Sequence, residues 1–538
     1  MIKIDIRLSI GYTDSDIRDA VCHSLPVKQD EIQQITVIKR SLDLADKSAP
    51  QYKLSVGISL PEEREYGLLK MKKKVSLYDS LELQIPDATF SSRPIVVGSG
   101  PCGLFAALFL AESGAAPLVI ERGQPVEIRK QTVKRFEKFG ILDTESNVQF
   151  GEGGAGTYSD GKLKVGSPDK YKMKVLREFV SAGATEDITY STTAHLGTDK
   201  LSDIVKNLRE KIISLGGQFI YGARLTDILI KEGKVKAAKY QKDGKSEVVE
   251  SENLILAIGH SAKDTIEALY AGGVKMCAKG FGIGVRIEHP REYINELVYG
   301  KGYDSRLETA SYHLVTHLKN GRSVYSFCMC PGGSVVAAAS ENNGVVTNGM
   351  SEYLRDGENS NAAFLVSVTP SDFESDFALA GMELQRKIER ETFIAGGADY
   401  KAPVITMSDF VKDCAPGTLG VVNPSYPIGT TPCRPEKCLP DYITDSLKAG
   451  IADFDDWMNG FYLPDAIITA SETRSTSPVR MLRNELYEAE GISGLYPAGE
   501  GAGYSGGIVS SAVDGLRAAE AMVFKNLKKK DSFESKKG

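Results

Sequence analysis

The sequence predicts an α/β protein whose parallel sheet is assembled from segments far apart in the chain, with an α+β region inserted between them and a small α+β module in front. Three observations predict it. An apolar strand, Pro94-Ile95-Val96-Val97, runs straight into a glycine-rich turn and an apolar helix. A second glycine-rich strand-to-helix junction lies about four hundred residues later, and the first ninety or so residues combine strand-spaced alternation with a helix-like piece.

Length and composition set the frame. A chain of 538 residues exceeds a single ordinary core, so two or three domains are expected. Hydrophobic residues at 42% and charged residues at 25% belong to a globular protein. A net charge of −6 and a pI near 5.8 leave no basic field for a nucleic-acid backbone, so no nucleic acid is expected as a partner. The basic runs Lys72–Lys74 and Lys528–Lys530 read as a solvated face and a terminus. The most apolar stretch, Leu104–Ile120, is broken by Glu112, Gly114 and Pro117, which disfavours a membrane span. The opening MIKIDIRLSI alternates like a strand and has no secretory core, so a cytoplasmic location is expected. Eight cysteines are too sparse for a disulfide scaffold and lack zinc spacing; reduced thiols and no metal follow.

Taken in order, residues 1–90 hold a strand at Ile2–Ile10, a helix at Asp14–Ser24 and strands at Ile35–Arg40 and Tyr52–Ile58, a pattern compatible with a ferredoxin-like module. The breaker-rich Pro86–Pro94 is the expected linker. Residues 91–265 alternate strands and helices, as a helix-covered parallel sheet requires. Residues 266–470 are less regular and read as a substrate or cap domain, with strands at Phe281–Ile287 and Ala363–Val368 and a helix at Asp376–Arg390. Residues 471–538 return to complete the first domain and end in a basic tail.

The turn Gly98-Ser99-Gly100-Pro101-Cys102-Gly103 has the context a Rossmann-like dinucleotide fingerprint demands, strand before and amphipathic helix after. Gly98 permits the tight turn, Gly100 lets pyrophosphate approach the backbone, and Gly103 lets the helix sit close to the strand. The phosphate then meets a helix N-terminus. A second strand, Pro117–Ile120, ends at Glu121, near the separation expected of the acid that accepts ribose hydroxyls.

The same fingerprint serves NAD and FAD, and the C-terminus discriminates. Gly494–Glu500 reads as a strand closed by Gly499 and Glu500; Gly501, Gly503, Gly506 and Gly507 follow, then a helix over Ile508–Asn526. A simple NAD domain has no use for this second junction, whereas an extended FAD needs a second wall. The helix start at Gly507–Ile508 offers a dipole and backbone donors to charge on a reduced flavin, an effect of about 0.3–2 kcal/mol.

Over nearly its whole length the chain resembles the two-dinucleotide-binding-domain flavoprotein superfamily, and within it the bacterial family of uncharacterised FAD-dependent, NAD-utilising dehydrogenases. The resemblance rests on the opening fingerprint with Ala107, on the run Gln149–Leu163, and on Ile283–His289. It rests also on Cys328–Gly333, Glu472-Thr473-Arg474, Ser477-Pro478-Val479-Arg480 and the C-terminal glycine cluster. It implies a Rossmann-like FAD-binding domain built from discontinuous segments and a noncovalent FAD. It further implies that Arg122, Arg129, Gly153, Gly154, Gly156 and the run Ser159, Asp160, Gly161, Lys162 approach the cofactor. Leu225 and Gly259 are implied near its adenosine half and Glu500 on its ribityl chain; the wider superfamily has Asp at that last position.

Flavin carries the electron chemistry, so the protein must chiefly position a substrate. Arg474 and Arg480 suit an anionic substrate, with a structural ion pair as the alternative for each. His289 is a candidate proton donor, although strand alternation favours a packed histidine. Cys328 and Cys330 offer a redox relay, but one intervening residue on a strand does not ensure disulfide geometry. The expected function is hydride transfer between a small substrate and FAD, with NAD(P)H as an optional donor that has no second fingerprint of its own. The alternatives are a flavin-dependent RNA-modifying transferase and a non-catalytic FAD-binding sensor; isoprenoid reduction lacks a membrane-binding helix to support it.

Overall fold

The computed structural model describes residues 1–70, 75–79, 81–163, 166 and 169–534. The run Lys72–Lys74 lies outside the described residues, as do the side chains of Lys529 and Lys530. No helix among the described residues is long and apolar enough to cross a membrane.

The first strand, Ile2–Ser9, buries Ile2, Ile4 and Ile6 on one face, and the helix Asp14–Ser24 packs there through Ile17 and Val21. Thr13 and Asp16 cap that helix reciprocally. Strands Gln34–Asp43, Gln51–Ser59, Ile2–Ser9 and Ser76–Leu77 pair in that spatial order, all antiparallel. With helices after the first and third strands, this is the ferredoxin-like arrangement.

The second sheet is parallel and five-stranded. Its spatial order is Leu495–Pro497, Leu254–Leu256, Ile95–Val97, Leu118–Ile120 and Gln218–Ile220. The C-terminal strand thus lies two places from the strand that opens the domain. Helix Pro101–Glu112 was expected to be amphipathic, yet every residue from Cys102 to Leu110 and Ala111 is buried. The cause is packing on all sides: the sheet lies on one flank and helices Lys170–Ser181, Thr198–Ser214 and Ile508–Glu534 on the others. The opposite sheet face is covered by an antiparallel meander spanning Ala223–Lys231, Lys234–Lys242 and Lys245–Glu250, and by helix Lys263–Ala271.

The inserted region forms a seven-stranded sheet in the order Val315–His317, Ser323–Cys330, Asn359–Val368, Phe281–Pro290, Ile467–Glu472, Ala402–Thr406 and Thr430–Pro432. Its core packs under helices Ala380–Ala395 and Asp441–Trp457. The first of these runs over Ala380–Ala395 where the sequence pattern suggested Asp376–Arg390, and upstream of it Thr369 and Asp372 close a separate turn by reciprocal hydrogen bonds. Val479–Met481 pairs with Met276–Ala278, so the two passages between the sheets run side by side as a ribbon.

Candidate functional site

A cavity of about 750 Å³ lies between the parallel sheet and the inserted sheet, a size typical of ligand clefts. Its first wall is the turn after Ile95–Val97. Gly98 has φ +96°, and a Cβ there would fall 2.3 Å from the Ala257 carbonyl oxygen. At Gly103 a Cβ would fall 1.9 Å from the Gly98 oxygen, so the helix rests directly on the turn. Gly100 differs: its nearest neighbour would be Gly154 Cα at 3.7 Å, and the bare backbone faces the cavity just before Pro101 begins the helix.

Glu121 ties this turn together. One carboxylate oxygen accepts from Ser99 N and Ser99 Oγ, at 2.8 and 2.9 Å; the other accepts from Gly123 N and Gly151 N, at 2.9 and 3.1 Å. An ionised carboxylate has about four acceptor sites, and the chain itself fills them. The ribose role expected from the sequence would therefore require sharing an occupied oxygen. Arg122 lines the cavity, stacked 3.9 Å from the Phe150 ring centroid and paired bidentately with Asp264.

Arg129 is not on the cavity wall. Fully buried beneath the following loop, it donates to the carbonyls of Asn147, Val148, Gly151 and Glu152. Gly153 is also off the wall; its N–H reaches the Ser99 carbonyl at 2.8 Å and locks the loop to the turn. Ser99 and Gly103 likewise serve the turn from within. The loop then presents Gly154, Gly156 and the run Ser159–Lys162 to the cavity. Burial would push Asp160 up, but the bidentate Arg355 guanidinium holds its carboxyl below the ordinary value. Leu225 and Gly259 complete this end.

The second wall comes from the C-terminus. Gly499, at φ +76°, donates its N–H to Asp514, which Arg483 clamps bidentately. Gly506, Gly507 and Ile508 line the cavity at the start of helix Ile508–Glu534, and a Cβ on Gly506 would meet nothing within 4 Å. Glu500 also lines it, and burial pushes its carboxyl up to about 8 against the opposing Lys279 charge.

Two family models match: FAD binding domain over residues 92–261, and FAD-dependent protein, C-terminal domain-like over residues 280–475. An uncharacterised protein of Clostridium beijerinckii is 45% identical over 526 residues, covering 97% of this chain and 98% of its own. The chain belongs to this FAD-dependent family. Similar solved structures include a geranylgeranyl bacteriochlorophyll reductase-like protein from Thermoplasma acidophilum, at 11% identity, 84% of each chain and TM-score 0.36. Another is a flavoprotein/dehydrogenase from Cytophaga hutchinsonii, at 12% identity, 81% of this chain, 78% of that chain and TM-score 0.35.

The residues present fit FAD. Gly100 and Gly506 leave open space on facing walls where any side chain would intrude, and two helix N-termini supply donors and positive dipole ends for phosphate or a charged ring. Cys102 sits in the turn beside Gly499, where its thiol is fully desolvated and pushed up.

The catalytic candidates divide sharply. Arg474 lines the cavity, but Nε and Nη2 engage Glu389 and Nη1 engages Ser340, so it is a structural ion pair. Arg480 is exposed, lies off the cavity and stands 5.3 Å from the Tyr504 ring centroid. His289 is packed, with Nε2 3.0 Å from the Phe461 carbonyl and its ring stacked on Tyr293; burial lowers it to about 4. Cys328 is on the wall and Cys330 is behind it. Sequence reasoning missed Tyr312, His313, Asn348 and Glu472, which line the inserted-sheet side. Glu472 stood within a quoted motif; the other three come from loops and a short strand with no local signature.

Proposed function

We propose that the protein is a two-half-reaction FAD-dependent oxidoreductase, moving a hydride equivalent between a small substrate and FAD, with NAD(P)H as a donor. The observation that carries this reading is the continuity of the cavity. The glycine-walled cradle runs without a break into a polar wall formed by His313, Asn348 and Glu472, where a second reactant would meet the cofactor.

When bound, FAD supplies the two-electron chemistry. Gly98, Gly100, Pro101 and the helix start behind them would hold the pyrophosphate, and the Gly506–Ile508 segment would support charge at the other wall. Glu472 is the residue suited to exchange a proton near neutral pH: burial pushes it up to about 7 even though Arg286 pairs with it. A nicotinamide donor would enter from the inserted-sheet side, because the strand–turn–helix unit is already committed to FAD.

The test is anaerobic addition of NADH and, separately, NADPH to the purified holoprotein, followed through flavin absorbance. Bleaching by either supports the reading. Absence of bleaching with both, and with a broad panel of small metabolites, overturns it.

A further inference from the structure

The segment Cys328-Met329-Cys330 departs from regular strand geometry where it meets the FAD cavity. Phe327 opposes Ala363 on the neighbouring strand, and Cys330 opposes Asn361, so an extra residue is accommodated as a bulge. Cys328 carries the irregularity at φ +40°, a left-handed conformation that side chains other than glycine adopt at a cost of about 1–3 kcal/mol. Bulges of this kind re-aim side chains beside active sites.

The bulge changes what the sequence spacing implied. Cys330 Sγ donates to the Cys328 carbonyl oxygen at 3.2 Å, which folds its thiol back onto the Cys328 backbone. Cations hold both intervening carbonyls: Arg286 Nη1 donates to Cys328 O at 2.9 Å, and Lys162 Nζ donates to Met329 O. The following turn is equally fixed, since a Cβ on Gly332 would fall 1.8 Å from the Arg355 carbonyl oxygen. Cys328 and Met329 line the cavity, while Cys330 is fully buried behind them.

We propose that Cys328 and Cys330 form a redox-active dithiol that exchanges an electron pair with bound FAD. The Cys328 thiolate and the Cys330 thiol lose two electrons and one proton as the S–S bond forms and the Cys330 S–H bond breaks. Those two electrons and that proton would pass to the bound flavin as their two-electron acceptor, and the reverse transfer would restore the dithiol. The geometry divides the labour: Cys328 lines the cavity, and the Cys330 thiol lies buried behind it against the Cys328 backbone. The electrostatics agree. The adjoining Cys330 thiol, aided by the Arg286 charge, holds Cys328 below the ordinary thiol range, and the same adjacency together with burial pushes Cys330 up. One thiolate and one thiol are what the exchange requires.

The proposal rests on bound FAD and not on the nicotinamide reading, which the bleaching experiment tests separately. All eight cysteines are free thiols in this structure. The holoprotein is titrated anaerobically with dithionite and, in parallel, denatured and alkylated before and after reduction. Wild type is expected to take up about four electrons per FAD, two for the flavin and two for the disulfide. Alkylatable thiols should number six in the oxidised protein and all eight in the reduced one. Cys330→Ser and Cys328→Ser should each take up about two electrons and show no change in thiol count on reduction. Uptake of about two electrons by wild type, or eight alkylatable thiols in its oxidised form, overturns the proposal; neither readout depends on a variant folding.

Discussion

Replacing Glu121 by Gln tests whether this carboxylate builds the cofactor turn or merely waits for a ribose. The side chain is buried and accepts four hydrogen bonds, two to each oxygen. An amide has one acceptor oxygen, so one pair of donors must confront an NH₂ group. Turning the NH₂ toward Ser99 is the cheaper arrangement, because the Ser99 hydroxyl rotates to accept while the Ser99 N–H is stranded. A stranded buried donor costs about 1–3 kcal/mol, and the bonds to Gly123 and Gly151 each lose charge assistance of about 0.5–1 kcal/mol. The expected loss is about 2–5 kcal/mol and falls on apoprotein and holoprotein alike. Denaturant unfolding of both forms reads it directly. Were Glu121 simply a ribose acceptor, the apoprotein would be as stable as wild type and only FAD affinity would fall; that outcome refutes the reasoning.

Other consequences follow from the same geometry. Arg355→Met leaves Asp160 buried with Lys162 at 3.8 Å as its remaining cation, and should cost about 3–5 kcal/mol, with partial recovery in the Arg355→Met/Asp160→Asn double variant measured by thermal melting. Glu500 keeps its proton up to about pH 8 in the apoprotein. If the ribityl hydroxyls donate to its carboxylate, binding expels that proton, so FAD affinity rises with pH up to about 8, by at most about tenfold per unit, and then levels off. Fluorescence titrations at several pH values should show this slope in wild type and none in Glu500→Gln. Arg129→Met strands four loop carbonyls and should release the 147–152 segment to limited proteolysis, with FAD lost as a result.

The fold was legible wherever its requirements are local. A strand, a turn that only glycine tolerates and an apolar helix are neighbours in sequence, so Gly98, Gly100 and Gly103 could be read together. The C-terminal wall was legible for another reason: a second glycine junction has no purpose unless it meets the first. Partners supplied from afar were not legible. Arg129 resembles a cofactor ligand in sequence, but its function depends on where the 147–152 carbonyls fold. Arg474 and Glu389 are 85 positions apart and pair only because helix Ala380–Ala395 packs beside the end of strand Ile467–Glu472. Spacing alone puts Cys328 and Cys330 on one strand face, and the bulge that separates them, with Cys328 on the cavity wall and Cys330 buried, is a property of the neighbouring strand's register.

The central claim is that the turn at Gly98–Gly103 and the junction at Gly499–Ile508 enclose one and the same FAD. The FAD-to-protein ratio of purified Gly100→Val and Gly506→Val, set beside wild type, tests it most directly. A Cβ at either position meets no protein atom closer than 3.7 Å, so the fold is kept while the new side chain occupies cofactor space. One FAD per chain in wild type and a deep loss in both variants is the predicted result; full FAD occupancy in either variant contradicts it.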